Sequence, residues 1–415
     1  MDVDVIVAGG GPGGAAAASQ LTQAGVAVLV LEKAHFPRQK ACGGCLSPKV
    51  LSLGLDFGEV VEDVIEEAVF AAPGEAAITY RSHTPLAYMV RRERFDQLLL
   101  SRAQAMGARV LYGHRVLQAR EIAGGVEVVS DRGTFRAPVL IGGDGALGAT
   151  VRSFRRPSSR IALAMDARLF GADGAHTAWW GKVLIDFGGV PFGYAWIFPT
   201  ACDLSTGVLG AKKKVRRLPG YLDRFLDRQG VQRDSKRVAG WPIPYPAWSL
   251  RPAISPRVLL VGDAAALVDP LTGEGIYYAI RSGLIAAQAI AEGGPRVADR
   301  YQQLIRDALQ QELRGAAMLA ALIHRAPVWS FRALRRHPGA IEAFAAVLVG
   351  RLSYAAFLRK VARGVFAAGW QSLVRAGRWR EEERVAGTQC SGLRTEPFDR
   401  TSASSVEPLR ARTED

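Results

Sequence analysis

Residues that build disulfides and metal sites are scarce in this chain of 415 residues. Four cysteines (Cys42, Cys45, Cys202 and Cys390) do not make a disulfide framework at this length. The six histidines (His35, His83, His114, His176, His324 and His337) include no pair at ligand spacing. Cys42-Gly43-Gly44-Cys45 has no second C-x-x-C to complete a zinc site, so no metal centre is expected. No apolar run reaches about 18 residues, which argues against a transmembrane helix. The N-terminus lacks a basic n-region and a cleavage site, and a strand pattern begins at residue 4, so the expected location is cytoplasmic. Zinc-finger spacing, an RNP-like aromatic cluster and a continuous basic helix are also missing. The net charge of +14 therefore does not point to nucleic acid. There is no internal repeat.

What the chain does have is core-forming bulk and glycine at telling positions. A hydrophobic content of 49% with 22% charged residues fits a globular chain long enough for roughly two or three domains. Residues 4–14 read Asp-Val-Ile-Val-Ala-Gly-Gly-Gly-Pro-Gly-Gly, an apolar run breaking into glycines. A helical stretch (Ala15–Ala24) follows, then a second apolar run, Val26 to Leu31, tipped by Glu32. Each part suits a dinucleotide. Gly9 makes the turn, Gly11 lets backbone approach a pyrophosphate, and Gly14 lets the helix lie close on the strand. The helix N-terminus offers free N–H groups and positive dipole to phosphates. Glu32 sits where a carboxylate accepts hydrogen bonds from ribose hydroxyls. These features predict an ADP-containing cofactor.

The rest of the chain organises around that motif. A loop from His35 to Ser47 is rich in glycine, cysteine and basic residues, and residues 58–90 read as short strands. Arg94 to Met106 is an amphipathic helix with Phe95, Leu98, Leu99 and Ala103 at helical spacing. Strands are expected near Ala108–Tyr112, Val116–Glu121, Val126–Ser130 and Ala137–Ile141, the last running into Gly142-Gly143-Asp144-Gly145. Residues 160–250 alternate and carry many aromatics, as a β-rich domain does, and Arg257–Val261 is a further buried strand ending in Gly262-Asp263. The strand ends at Asp144 and Asp263 belong with the opening motif. The expected division is a cofactor domain in three pieces (1–57, 91–157 and 253–296), substrate-domain segments 58–90 and 158–252, a helical region 297–385 broken near Pro327 and Pro338, and a disordered tail 386–415. Ligands in such sheets bind at the carboxyl ends of the strands.

Gly262-Asp263-Ala264-Ala265, followed by Pro270-Leu271-Thr272-Gly273-Glu274-Gly275-Ile276, places a carboxylate where a ribityl hydroxyl donates to it. The proline-glycine stretch then opens a helix whose free N–H groups suit the electron-rich edge of an isoalloxazine. Gly143 to Gly148 also satisfies G-x-G-x-x-G, but no acidic-tipped strand follows, so no second nucleotide domain is expected.

Gly9–Gly14 with Glu32, Arg92-x-x-Phe95-Asp96, Gly143-Asp144-Gly145 and Gly262-Asp263 through Gly275 resemble the para-hydroxybenzoate-hydroxylase-like class of FAD enzymes. Within that class, Pro37 to Lys49, Gly262 to Gly275 and Pro191-Phe192-Gly193-Tyr194-Ala195-Trp196-Ile197-Phe198-Pro199 are similar to the geranylgeranyl reductase family, the last matching its P-x-x-Y-x-W-x-F-P signature. The resemblance covers about residues 3–300. It implies an α/β protein: a Rossmann-like FAD-binding domain, an inserted β-rich substrate domain and a C-terminal helical region. It assigns Gly9, Gly11, Pro12, Gly13, Gly14, Glu32, Lys33, Cys42, Gly43, Arg92, Asp263, Gly275 and Ile276 to FAD, with Val116 on the adenine side. Tyr194, Trp196 and Phe198 would line the space over the flavin. Alternating aromatics give a flat apolar wall that holds an isoprenoid chain without hydrogen bonds. The sequence departs from the family at Gly148, where a serine is usual, and Arg152 stands one place late.

The Cys42–Cys45 pair admits a redox disulfide, a half zinc site or a thiol beside the flavin. The resemblance favours the last, with Cys42 influencing how far reduction proceeds. Residues 325–384 hold twelve Lys/Arg against four Asp/Glu, interleaved with Trp329, Phe331, Phe344, Leu348, Tyr354, Phe357, Phe366 and Trp370. That pattern suits an interfacial helix on an anionic membrane or a helical cap with a basic face. The sequence is thus read as a monomeric FAD-dependent reductase that saturates C=C bonds of a prenylated, lipid-like substrate, with electrons from NADPH or a ferredoxin-like donor. A monooxygenase or halogenase of the same fold is one alternative, although the halogenase W-x-W-x-I-P motif is absent. A membrane-associated electron-transfer flavoprotein is another.

Overall fold

Val5–Ala8, Val28–Glu32, Val139–Gly142 and Val258–Leu260 are wholly buried strands, and near-continuous aliphatic runs of this kind belong to parallel sheets covered on both faces. In the computed structural model they lie at the centre of a six-stranded sheet ordered Ala253–Ser255, Val258–Leu260, Val139–Gly142, Val5–Ala8, Val28–Glu32 and Arg109–Tyr112. Only the Ala253–Ser255 edge strand runs antiparallel to its neighbour. The structure describes residues 3–154, 160–169, 177–215, 217–231, 235–294, 296–336 and 338–366. The expected tail 386–415 and the end of the basic stretch, 367–384, lie outside them.

Strand alternation sends Val5, Val7, Val28 and Val30 towards helices Pro12–Gln23, Arg92–Ala105 and Ile276–Ala291. Ile6, Ala8, Leu29 and Leu31 face the other way, onto a three-stranded meander of Val116–Ile122, Gly125–Ser130 and Gly133–Ala137. The single strand expected over Ala137–Ile141 is in fact two. Ala137 pairs with Val126 in the meander, while Val139 pairs with Val5 in the main sheet. Pro138 has no N–H to give a ladder, and the chain changes sheets there.

A second sheet has seven strands, ordered Ser235–Pro244, Ile161–Leu169, Leu204–Ala211, Gly193–Pro199, Lys182–Phe187, Glu67–Ala71 and Ile78–Arg81. Within segment 58–90, Glu67–Ala71 and Ile78–Arg81 pair into this sheet, whereas Val61–Ile65 and Ala87–Val90 form a separate three-stranded sheet with Cys45–Leu46. One face of this sheet is covered by helix Leu218–Gln229, which interrupts the β-rich segment 160–250 and whose Leu222, Phe225 and Leu226 pack with Ala195, Ile197 and Val208.

The C-terminal helices are Val297–Ile305, Gln311–Arg325, Pro327–Arg336, Pro338–Leu348 and Tyr354–Phe366. Pro327 and Pro338 are the first residues of their helices, where a missing N–H costs nothing. A further break falls at Gly350, with φ +82°, where no proline marks it in the sequence. Phe331, Phe344, Tyr354 and Phe357 are buried in the core shared with Phe70, Phe187, Trp196 and Phe198. Most described aromatics of the basic stretch are therefore core residues. Trp329, 65% exposed, is the exception.

Candidate active site

The glycine-rich turn is shaped by contacts that only glycine permits. Gly9 has φ +97°, and a Cβ there would stand 2.6 Å from the Gly143 carbonyl oxygen. A Cβ on Gly14 would lie 2.0 Å from the Gly9 carbonyl, and one on Gly283 only 2.1 Å from that of Gly13. Helices Pro12–Gln23 and Ile276–Ala291 are thus in backbone contact. Gly11 differs: its Cβ position has nothing nearer than Arg38, 3.6 Å away. Gly11 is the N-cap of its helix, Pro12 opens it, and no side chain caps it. Helix N-termini leave unsatisfied N–H groups, and this one opens on a cavity.

Glu32, 4% exposed, accepts hydrogen bonds from the backbone N–H of Gly10 (2.7 Å) and of Ala34 (2.9 Å). Its carboxylate keeps acceptor capacity for further donors. Asp96 is completely buried and holds two cations: Arg92 at 2.7 and 2.8 Å, and Arg38 at 2.9 Å. Burial opposes charge on Arg92, but the Asp96 carboxylate overcomes it and keeps the guanidinium protonated. The Arg92-x-x-Phe95-Asp96 pattern contained this pair, yet nothing in the sequence brought Arg38 to it.

A cavity of about 870 Å³ runs from this end to the second sheet. It is bordered by Gly9, Gly11, Pro12, Gly13, Glu32, Lys33, Arg92 and Val116, then by Cys42, Gly43, Asp263, Gly275 and Ile276, then by Tyr194, Trp196 and Phe198. Of the residues singled out from sequence, only Gly14 does not border it. Beyond the aromatics the wall is apolar, with Phe70, Val183, Ile185, Phe187, Leu209, Leu271 and Phe344.

Glycines and hydrogen bonds set the aromatic wall. Trp196 and Phe198 stack with centroids 6.0 Å apart. A Cβ on Gly43 would meet Phe198 at 2.7 Å, and one on Gly207 would meet Trp196 at 2.2 Å. Tyr194 donates to the Thr272 carbonyl and Trp196 Nε1 donates to Ser205 Oγ, so neither ring leaves a buried donor unpaired.

The Cys42 loop is tied to the second sheet, where Arg168 donates to the Cys42 carbonyl (3.1 Å). The Gly44 N–H points at Cys42 Sγ, 3.4 Å away. Burial pushes the Cys45 thiol up to about 12, so it stays protonated at neutral pH. Lys40 borders the cavity with its ammonium 3.5 Å from the Trp241 ring centroid, and burial lowers its pKa to about 8 despite the nearby Asp263.

The departure at Gly148 has a local cause. Asp144 Oδ2 accepts the Thr150 N–H at 2.8 Å, at the start of helix Ala149–Phe154. A Cβ on Gly148 would fall 2.0 Å from Asp144 Oδ1. A larger residue at 148 would have to displace that carboxylate.

This donor set fits an FAD molecule. The uncapped helix end and nearby Arg38 and Lys40 suit a diphosphate, and Glu32 suits a ribose diol. The comparisons agree. Residues 2–180 match the FAD binding domain family. The chain is 32% identical over 294 residues to an uncharacterized protein of Methanosarcina barkeri, covering 69% of this chain and 74% of that protein. It is 30% identical over 319 residues to the chloroplastic geranylgeranyl diphosphate reductase of Arabidopsis thaliana, covering 70% and 66%. Its fold is similar to a geranylgeranyl bacteriochlorophyll reductase-like protein of Thermoplasma acidophilum (TM-score 0.71, 22% identity, 90% of this chain and 98% of that one). It is also similar to a flavin-dependent brominase (TM-score 0.70, 19% identity, 88% and 99%). Fold and site together define an FAD-dependent oxidoreductase. The chain belongs to the geranylgeranyl reductase family of these flavoproteins.

Proposed function

We propose that this protein saturates C=C bonds of a polyprenyl group. One observation carries the reading: a single cavity joins the glycine-rich helix end to a long wall of aromatic and aliphatic side chains. Gly9, Gly11, Pro12, Gly13, Glu32, Lys33, Arg92, Val116, Asp263, Gly275 and Ile276 would hold FAD. When bound and reduced, FAD would supply the hydride equivalent, reloaded by hydride from NADPH or by two single electrons from a ferredoxin-like donor together with a proton from water. Tyr194, Trp196 and Phe198 hold the prenyl chain flat and keep water away from it. Exclusion of water matters because an unactivated alkene is a poor hydride acceptor. Cys42, at the junction of the two parts of the cavity, adjusts how the alkene sits.

The substrate class also suggests where the enzyme works. No helix of the described residues is long and apolar enough to cross a membrane. Helix Gln311–Arg325 nevertheless has apolar residues on two faces: Ala316, Leu319 and Ala320 pack into the core, whereas Met318 and Leu322 are 53% and 45% exposed. Arg314 lies one turn before Met318, and its guanidinium is 5.2 Å from the ring of the exposed Trp248. With Trp329 nearby in sequence, this basic and apolar surface suits an anionic bilayer.

The deciding experiment is anaerobic incubation of dithionite-reduced enzyme with candidate prenyl compounds, read by mass spectrometry. Gain of one hydrogen molecule per reduced bond is expected. Oxygen insertion in air with no anaerobic reduction would instead place the protein with the oxygen-using members of this fold.

A further inference from the structure

Among the described residues, the cavity face of the seven-stranded sheet carries charge at only two of its bordering positions, Asp166 and Arg168. The other sheet residues on the cavity are aromatic, aliphatic or glycine, among them Phe70, Ile185, Tyr194, Trp196 and Leu209. Burying a carboxylate on such a wall is costly unless it is neutral or well paired. Asp166 is 8% exposed.

Strand register explains how it meets the aromatic wall. Asp166 stands opposite Gly207, and Gly207 stands opposite Trp196 on the next strand. Glycine between them leaves no intervening side chain, and the Trp196 ring lies over that gap. A hydrogen-bonded chain connects the same residues: Trp196 Nε1 donates to Ser205 Oγ (3.4 Å), and Ser205 Oγ donates to Asp166 Oδ1 (2.7 Å). Arg168 Nε is 3.6 Å from Asp166 Oδ2, but its terminal nitrogens are committed to Asp203 (3.2 Å) and the Cys42 carbonyl (3.1 Å). Burial, with the more distant Asp203 and Glu93 carboxylates, raises the Asp166 pKa, and Arg168 and Ser205 only partly offset that. Burial thus favours the protonated form of Asp166 on a wall where Ser205 and Arg168 stand ready to hold its carboxylate.

Resting on the reductase reading above, we propose that Asp166 is the proton donor in alkene saturation. As a hydride equivalent enters at one alkene carbon, the π electron pair takes the Asp166 proton at the other. A C–H bond forms there and the Asp166 O–H bond breaks. The resulting carboxylate is stabilised by Ser205 and Arg168 until a proton from water restores the acid. The reductant is the one that reloads the flavin, so each double bond consumes one hydride and one proton.

Two measurements test this. Infrared difference spectra between wild type and Asp166→Asn at neutral pH read the protonation state without turnover, and the wild type should show the carbonyl band of a protonated acid that the variant lacks. Anaerobic single-turnover oxidation of reduced enzyme by a prenyl compound should slow by on the order of 100-fold or more in Asp166→Asn, the usual contribution of a general acid. Flavin content and reduction by dithionite should stay unchanged, and Asp166→Glu should recover part of the rate. An ionised Asp166 in the spectra, or an Asp166→Asn rate equal to wild type, would overturn the proposal. If wild type itself reduces no prenyl compound while the acid band is present, the substrate reading falls, and this role for Asp166 with it.

Discussion

Tyr354 donates a hydrogen bond to Asp269 Oδ2 at 2.8 Å, joining residues 85 apart in the chain. Asp269 is completely buried, and its other oxygen accepts the backbone N–H groups of Leu271 (2.8 Å) and Thr272 (3.0 Å). One carboxylate therefore shapes the Pro270–Gly275 loop at the cavity and anchors helix Tyr354–Phe366. Lys49 reinforces the same loop through Glu274 at 2.6 Å. Removing one partner of a hydrogen bond to a buried charge should cost about 1.5–3 kcal/mol for Tyr354→Phe. Asp269→Ala, which loses the bonds to Tyr354, Leu271 and Thr272 together, should cost more. Urea unfolding followed by circular dichroism measures both, and unchanged midpoints would remove Asp269 from the stability of the loop.

The glycines of the opening turn should separate folding from cofactor binding. Gly14→Ala pushes a methyl group to 2.0 Å from the Gly9 carbonyl and should prevent correct folding. Gly11 has no clash at its Cβ position, where Arg38 is the nearest group at 3.6 Å, so Gly11→Leu should fold but purify without yellow colour, because its side chain fills the space needed by the diphosphate. Absorbance of the purified variants decides. A yellow, stoichiometrically loaded Gly11→Leu protein would displace the diphosphate from this helix end.

Cys42→Ser keeps the size of the side chain and should retain FAD. Its effect is expected in the rate or in the number of double bonds reduced, read from product mass distributions. Identical distributions for variant and wild type would leave Cys42 as a small residue in a glycine-rich turn.

His324 gives a pH dependence. Burial lowers its pKa from 6.5 to about 4. Between those values the unfolded chain binds a proton that the folded chain refuses, so stability falls as pH drops from about 6.5 towards 4. The full loss is on the order of 3–4 kcal/mol, at about 1.4 kcal/mol per pKa unit. His324→Gln should flatten that part of the stability profile. A profile with the same slope in the variant would show that other groups set it.

Binding to anionic vesicles should rise with their negative lipid content and fall as salt shortens the Debye length from about 10 Å at 0.1 M to 3 Å at 1 M. Replacing Met318, Leu322 and Trp329 together with serine should weaken it. Equal recovery in the supernatant with and without vesicles would end the membrane reading.

What the sequence determined by itself is local in origin. Gly9 to Gly14, the acid at Glu32, the Gly262-Asp263 strand end and the alternation of Tyr194, Trp196 and Phe198 are patterns a few residues long. Backbone sterics and strand periodicity convert such patterns directly into turns, helix starts and side-chain faces, and nearly all of these residues border one cavity. Only the tertiary structure decided what meets across distance. Asp96 gathers Arg38 as well as Arg92, Asp269 receives Tyr354, and Asp166 finds Trp196 across Gly207. The aromatics of the basic stretch show the limit most plainly. Their helical spacing told that one face was apolar, but whether core or lipid covers Phe331, Phe344 and Phe357 depends on which sheet folds against them. That sheet is built from strands as far away as Glu67–Ala71.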